Sequence, residues 1–67
     1  MQGVEPMHQK ETNRFDYFVL RKKKRIRLKE IATEIDCSLA LLSMYENDKC
    51  NISIQKEQRY KEYIENY

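Results

Sequence analysis

The sequence IRLKEIATEIDCSLALLSMYENDK, residues 26–49, decides the fold of this 67-residue chain. Its first part places Ile31, Ala32 and Ile35 on one face of a helix, because they are spaced at i, i+1 and i+4. The pattern then breaks before Ser38, a residue that commonly caps the start of a new helix. The stretch therefore predicts two short helices joined by a tight turn. The small side chain of Ala32 allows the two helices to approach each other closely.

The second short helix turns its apolar side back onto the first. Leu42 and Tyr45 lie three residues apart, so they can share one face. Two short helices that cross at a steep angle form a helix-turn-helix. With only one Gly and one Pro in the chain, there is little turn chemistry for β structure, and we expect an all-α fold. Its four helices are expected near residues 13–24, 28–35, 39–46 and 53–65.

A known family shares many residues with this stretch and with the helix before it. They are Leu20, Arg21, Ile26, Glu30, Ile31, Ala32, Ile35, Ser38, Leu42, Tyr45, Glu46 and Asn47. With these residues at this spacing, the chain resembles the phage Cro/repressor helix-turn-helix family over roughly residues 14–60. The resemblance implies a small four-helix DNA-binding domain that lacks the usual fifth helix. It also implies an ion pair between Arg21 and Glu46, which would tie the first helix to the recognition helix.

The resemblance places the base-reading residues at the front of the third helix. They are Ser38, Leu39, Ala40, Ser43 and Met44. None of these side chains can make two hydrogen bonds to one base edge, which is the usual basis of sequence readout. Leu39 and Ala40 can instead touch thymine methyl groups, so one interpretation is a DNA-binding protein with a preference for A·T pairs.

The same apolar residues allow a second interpretation, in which the helix-turn-helix binds a protein instead of DNA. Leu28, Leu39, Leu41 and Met44 would then form an apolar surface for a partner regulator protein, as in an antirepressor. Leu28 also replaces the polar residue with which family members hold a phosphate. The sequence leaves both interpretations open.

A basic run precedes the motif, although the net charge of the chain is only +2. Seven of the nine residues from Arg21 to Lys29 are Lys or Arg. Cations in the last turn of a helix offset its carbonyl end, which accounts for two or three of them. The others indicate either a solvated face or phosphate contact, since cations that displace DNA counterions supply most non-specific affinity. The expected phosphate-binding residues are Arg25, Arg27, Lys29, Asn47 and Lys49.

The two ends of the chain carry fewer signals. Residues 1–12 hold the only Gly and Pro and predict a flexible N-terminal arm, before a domain at residues 13–67 that starts with Asn13 as an N-cap. The last helix carries an aromatic stripe, which indicates either a homodimer contact or core packing of a long helix. The stripe consists of Tyr60, Tyr63, Ile64 and Tyr67.

Other functions lack their usual residues. Cys37 and Cys50 do not have the spacing of a metal or redox site, and His8 is the only histidine, so no metal or cofactor is expected. There is no nucleophile beside a base and no Gly-rich phosphate loop, so no enzyme is expected. No apolar run approaches the ~20 residues of a membrane span. We expect a cytoplasmic, sequence-specific transcriptional regulator of phage or mobile-element type, such as a repressor, which binds double-stranded DNA as a homodimer.

Overall fold

The computed structural model describes the backbone of residues 4–67 and the side chains of residues 14–67. Four α-helices follow one another, and no strand occurs in residues 4–67. The predicted all-α class with four helices is therefore confirmed. The last three helices lie within one residue of their predicted bounds. The helices are α1 (Val4–Lys24), α2 (Leu28–Glu34), α3 (Leu39–Glu46) and α4 (Ile54–Glu65).

Helix α1 begins earlier than the sequence pattern predicts. The expected start near residue 13, with Asn13 as its N-cap, is wrong because α1 begins at Val4 and spans 21 residues. Pro6 lies in its first turn, where a missing amide hydrogen costs little because that amide has no partner within the helix. The flexible arm expected at residues 1–12 overlaps α1 from Val4 onward, and residues 1–3 lie outside the described part of the chain.

One apolar core joins α2, α3 and α4. Ile31, Ala32 and Ile35 are buried at the face that their spacing predicts, and Leu42 and Tyr45 meet them from α3. Burying an Ile or Leu side chain contributes roughly 1.5–3 kcal/mol, so this face supplies much of the drive to fold. Among residues 14–67, the buried apolar residues are Ile26, Ile31, Ala32, Ile35, Leu42, Tyr45, Tyr60 and Ile64.

The first three helices end in a similar way, with a left-handed residue one or two positions after the last residue of the helix. These residues are Arg25, Asp36 and Asp48, with φ angles of 60°, 59° and 62°. The next amide then donates back to the carbonyl five residues earlier, as the amide of Lys49 does to Met44 O at 2.8 Å. This pattern satisfies carbonyls that the helix leaves free and turns the chain sharply. The tight turn between α2 and α3 is made in this way at Asp36.

Cations from distant parts of the chain bind the carbonyl ends of three helices. A helix carries partial negative charge at this end, so a cation there is stabilising. The contacts are Arg14 Nη1 to Tyr45 O at 3.2 Å, Lys56 Nζ to Asp36 O at 2.7 Å and Lys24 Nζ to Ile64 O at 2.7 Å. These three cations hold α3, α2 and α4 in place and are less available for an external ligand.

Tyrosine hydroxyls connect α4 to the other three helices. Each donates a hydrogen bond to a glutamate, and each pair has one member on α4: Tyr17 with Glu65, Tyr45 with Glu57, Tyr60 with Glu46, and Tyr63 with Glu30. Burial raises the pKa of Tyr45 and of Tyr60 above the ordinary value of 10.0, and the carboxylate beside each raises it further. The hydrogen bond to Glu30 raises the pKa of Tyr63 to about 12.

The aromatic stripe of α4 is therefore divided between the core and the surface. Tyr60 and Ile64 are fully buried within the chain, and the ring of Tyr60 packs edge-on against Tyr45 with centroids 5.4 Å apart. The expectation that Tyr60 and Ile64 contribute to a dimer contact is wrong, because the core of the same chain covers them. Tyr63 is half-buried and Tyr67 is 59% exposed, so only these two of the four stay accessible.

Alkaline pH should destabilise the fold through these tyrosines. In the folded chain the hydroxyls of Tyr45 and Tyr60 keep their protons when the pH rises above their ordinary pKa of 10.0, whereas in the unfolded chain they lose them near that pH. The contribution of these tyrosines to the free energy of unfolding is thus fully present below about pH 10. It is lost as the pH rises through their pKa values in the folded chain. Urea unfolding followed by circular dichroism between about pH 9 and pH 12 measures this loss.

Tyr60→Phe is the control that assigns the effect to a tyrosine hydroxyl. It should be less stable than the parent chain at neutral pH, and its stability should fall less steeply above pH 10 because one shifted proton is removed. Equal pH slopes for Tyr60→Phe and the parent chain would contradict this assignment.

Candidate functional site

The guanidinium of Arg21 links three parts of the fold. Its Nε and Nη2 donate to the two carboxylate oxygens of Glu46 at 2.6 and 2.8 Å, and its Nη1 donates to Ile26 O at 2.8 Å. The Tyr60 hydroxyl donates to the same carboxylate at 2.6 Å. The ion pair implied by the resemblance is formed, in the two-pronged geometry that makes Arg–carboxylate pairs strong. The side chains of Arg21 and Glu46 are only 8% and 4% exposed.

This ion pair fixes which side of α3 faces outward. Glu46 is the last residue of α3, so Arg21 and Tyr60 hold that end of the helix against α1 and α4. Leu42 and Tyr45 bury the inner face. All five predicted base-reading residues remain accessible: Ser38, Leu39, Ala40 and Met44 are exposed and Ser43 is half-buried. The front of α3 is therefore open to a partner.

The amino end of α3 is built by Ser38. Its Oγ accepts a hydrogen bond from the amide of Leu41 at 3.0 Å, which is the N-cap geometry that the sequence predicts. The first turn of α3 contains no acidic residue, so no side chain of that turn offsets its positive end. Ser38 thus has a structural role beside its predicted base-reading role, and the helix end it caps favours a negatively charged partner.

The predicted phosphate-binding cations have no side-chain partner among residues 14–67, so no described residue occupies them. Arg25, Arg27, Lys29 and Lys49 are exposed, and their side chains make no hydrogen bond or ion pair with residues 14–67. Asn47 is also exposed, but its Nδ2 already donates to Ser43 O at 2.9 Å. Four of the five predicted residues are thus uncommitted within the described part of the chain, whereas Asn47 helps to end α3.

Arg21 also places part of the basic run beside α3. Because it binds both Ile26 O and Glu46, the loop that carries Arg25 and Arg27 is held next to the carboxyl end of α3. The amide of Lys49 donates to Met44 O at 2.8 Å, which keeps Lys49 at the same end. The side-chain pattern could not predict the bond to Ile26 O, because a backbone carbonyl leaves no signal in the sequence.

Arg14 is a positioning residue that the sequence pattern missed. Its guanidinium lies 4.1 Å from the centre of the Tyr45 ring and donates to Asp48 Oδ1 at 2.9 Å and to Asn51 Oδ1 at 2.6 Å. It thereby fixes the loop after α3, which carries Lys49. Arg14 stands outside the basic run and 31 residues before Tyr45, so neither charge density nor spacing indicated its partner.

Two other kinds of site, a metal centre and a membrane-spanning helix, are not found among the described residues. Within residues 14–67, no three His, Cys, Asp or Glu side chains come together in a way that could hold a metal ion. Among the helices described, none combines the length and the apolar character required to cross a membrane.

Breaking the buried ion pair should strongly destabilise the protein. In Glu46→Leu, Arg21 keeps a buried charge without its partner, which costs about 3–5 kcal/mol. That is much of the stability of a domain this size, roughly 3–10 kcal/mol at the usual value per residue. Urea unfolding followed by circular dichroism measures the loss, and the double variant Arg21→Leu/Glu46→Leu should lose less than the sum of the single losses.

Asp48→Asn is the matched control for this experiment. It removes the ion pair between Arg14 and Asp48, whose carboxylate is 88% exposed, and Asn tolerates the left-handed backbone at this position. An exposed pair contributes at most about 1 kcal/mol. If Glu46→Leu cost no more than Asp48→Asn, the buried pair would not hold the fold together.

Comparisons of the chain with protein-family models, curated proteins and solved structures found no match. Its function is therefore inferred from the geometry of its own residues.

Proposed function

We propose that this chain is a DNA-binding transcriptional regulator of the phage Cro/repressor helix-turn-helix type, with α2 and α3 as the motif. The observation that carries the proposal is the open front of α3 together with the uncommitted cations held at the carboxyl end of the same helix. In this proposal α3 enters the major groove of double-stranded DNA and the cations bind its phosphates. The major groove is about 12 Å wide and an α-helix with its side chains is about 10–12 Å across, so a helix such as α3 fits into it.

The cations of the basic run fall into two groups, those bound inside the fold and those left exposed, and this supports phosphate binding. Arg21 and Lys24 belong to the basic run, but both are bound inside the fold, at Glu46 and at Ile64 O. Arg25, Arg27 and Lys29 are exposed and have no carboxylate partner within residues 14–67. Keeping such unpaired cations close together costs repulsion, which phosphates would relieve.

Regulation would follow from occupancy of a promoter. We propose a homodimer on a short two-fold site, because each chain offers one recognition helix and helix-turn-helix dimers read two half-sites. Tyr63 and Tyr67 remain as candidate dimer residues, since Tyr60 and Ile64 are buried. Such a dimer would repress transcription by occluding the promoter or by controlling a neighbouring repressor.

Salt dependence of binding tests the DNA proposal. The affinity for a duplex of mixed sequence, measured by fluorescence anisotropy, should fall steeply as salt concentration rises, with a log–log slope of about −0.9 per neutralised phosphate. Arg27→Gln and Lys49→Gln should each weaken binding to all sequences and make the slope shallower by about one unit, because each change removes one phosphate-binding cation.

Lys61→Gln is the matched control, because it removes the same charge from α4, where Lys61 lies 5.5 Å from the ring of Tyr17. It should leave the slope unchanged. Equal effects of Lys61→Gln and Lys49→Gln would indicate diffuse attraction without a site, and salt-insensitive or absent binding would reject the proposal.

A second candidate function is favoured by the exposure of two large apolar side chains on α3. Leu39 is 46% exposed and Met44 is 45% exposed, which also suits a protein-binding surface formed with the half-buried Leu28 and Leu41. A partner regulator captured from the native host in high salt after nuclease treatment, and lost in Leu39→Ser, would favour this function. Capture that nuclease abolishes would favour DNA binding.

A further inference from the structure

The third helix has almost no means of reading bases through hydrogen bonds. Its eight residues include no Arg, Lys, Asn or Gln, the side chains that form paired hydrogen bonds with purines. Its polar groups at the carboxyl end are occupied, since Tyr45 donates to Glu57 and Glu46 accepts from Arg21 and Tyr60. Within α3 only the hydroxyl of Ser43 is left for a base edge.

The exposed surface of α3 is apolar instead. Leu39 and Ala40 are exposed in its first turn, and Met44 is exposed one turn after Ala40. In the major groove the apolar feature of a base is the methyl group on C5 of thymine, to which Ala and similar side chains bind by contact alone. The neighbouring Arg25, Arg27 and Lys49 suit the phosphates of DNA, which favours DNA over an apolar protein as the occupant of this surface.

We infer that α3 recognises pyrimidine C5-methyl groups in the major groove through Leu39 and Ala40. This inference rests on the proposed DNA binding and names what that site reads. It follows that uracil, which pairs like thymine but lacks the methyl group, is a poorer ligand. It also follows that cytosine methylated at C5 is a better ligand than cytosine, because its methyl group occupies the same position in the groove.

Two pairs of alternating duplex polymers isolate the methyl group. The first pair is poly(dA-dT) and poly(dA-dU), and the second is poly(dG-m5dC) and poly(dG-dC), all in buffer without divalent cations. Within each pair the phosphates and the hydrogen-bonding groups of the bases are the same. The methylated member should bind more tightly by about fourfold for each methyl group that α3 touches, the factor expected for burying one such carbon.

Variants of the chain assign the effect to α3. Leu39→Ser should abolish most of the difference within each pair while it leaves the salt slope unchanged. Phe15→Ser is the matched control, because Phe15 is also a large exposed apolar residue, 63% exposed, but lies on α1. It should keep the full preference for the methylated polymers.

Each other outcome contradicts the inference. Steep salt dependence with equal affinity within both pairs would overturn methyl recognition but leave the proposed DNA binding intact. A preference that survives Leu39→Ser would place the recognition outside the front of α3. Absence of binding to all four polymers, even at low salt, would overturn the proposed DNA binding together with this inference.

Discussion

The arrangement of this small protein depends on the buried pair of Arg21 and Glu46. Two charges removed from water are costly unless hydrogen bonds satisfy their remaining groups. Here the carboxylate accepts from the guanidinium and from Tyr60, and the guanidinium also donates to Ile26 O. These partners lie on α1, α3, α4 and the loop after α1. The charges are therefore stable only when these elements are assembled together, and that requirement fixes the position of α3.

The same constraint separates two classes of cation. Cations of the first class are bound inside the fold. Arg14, Lys24 and Lys56 bind the carbonyl ends of α3, α4 and α2, respectively, and Arg21 binds Glu46. The other class is exposed and uncommitted among the described residues, and includes Arg25, Arg27 and Lys49. Composition alone gives a net charge of +2 and does not show which cations are bound inside the fold and which are exposed. The uncommitted cations are concentrated near α3, and this gives a weakly charged protein a local surface suited to phosphates.

Apolar spacing predicted the middle of the chain well, because burial of one helix face is a local property of sequence. Ile31, Ile35 and Leu42 are buried as their spacing indicates, and α3 has its expected bounds. The Arg21–Glu46 pair required the family resemblance, since its partners lie 25 residues apart. That family membership remains a proposal, although the pair itself is formed.

The errors arose where several structures satisfy the same local pattern. A Pro near the N-terminus also suits the first turn of a helix, so α1 begins at Val4 and not at the expected N-cap Asn13. The spacing of Tyr60 and Ile64 predicts a buried face but does not identify what covers it, and here it is the core of the same chain. The links made by Arg14 and Lys24 depend on tertiary contacts that leave no trace in periodicity.

The central claim, that the front of α3 and the cations beside it form one DNA-binding surface, is tested most directly by nuclear magnetic resonance. Amide signals of the labelled chain would be followed during titration with an A·T-rich duplex. The account predicts that the largest shifts fall at residues 25–29 and 38–44 and at Lys49, while residues 54–61 of α4 change little. Shifts concentrated on α4 or around Phe15, with residues 38–44 unaffected, would contradict it.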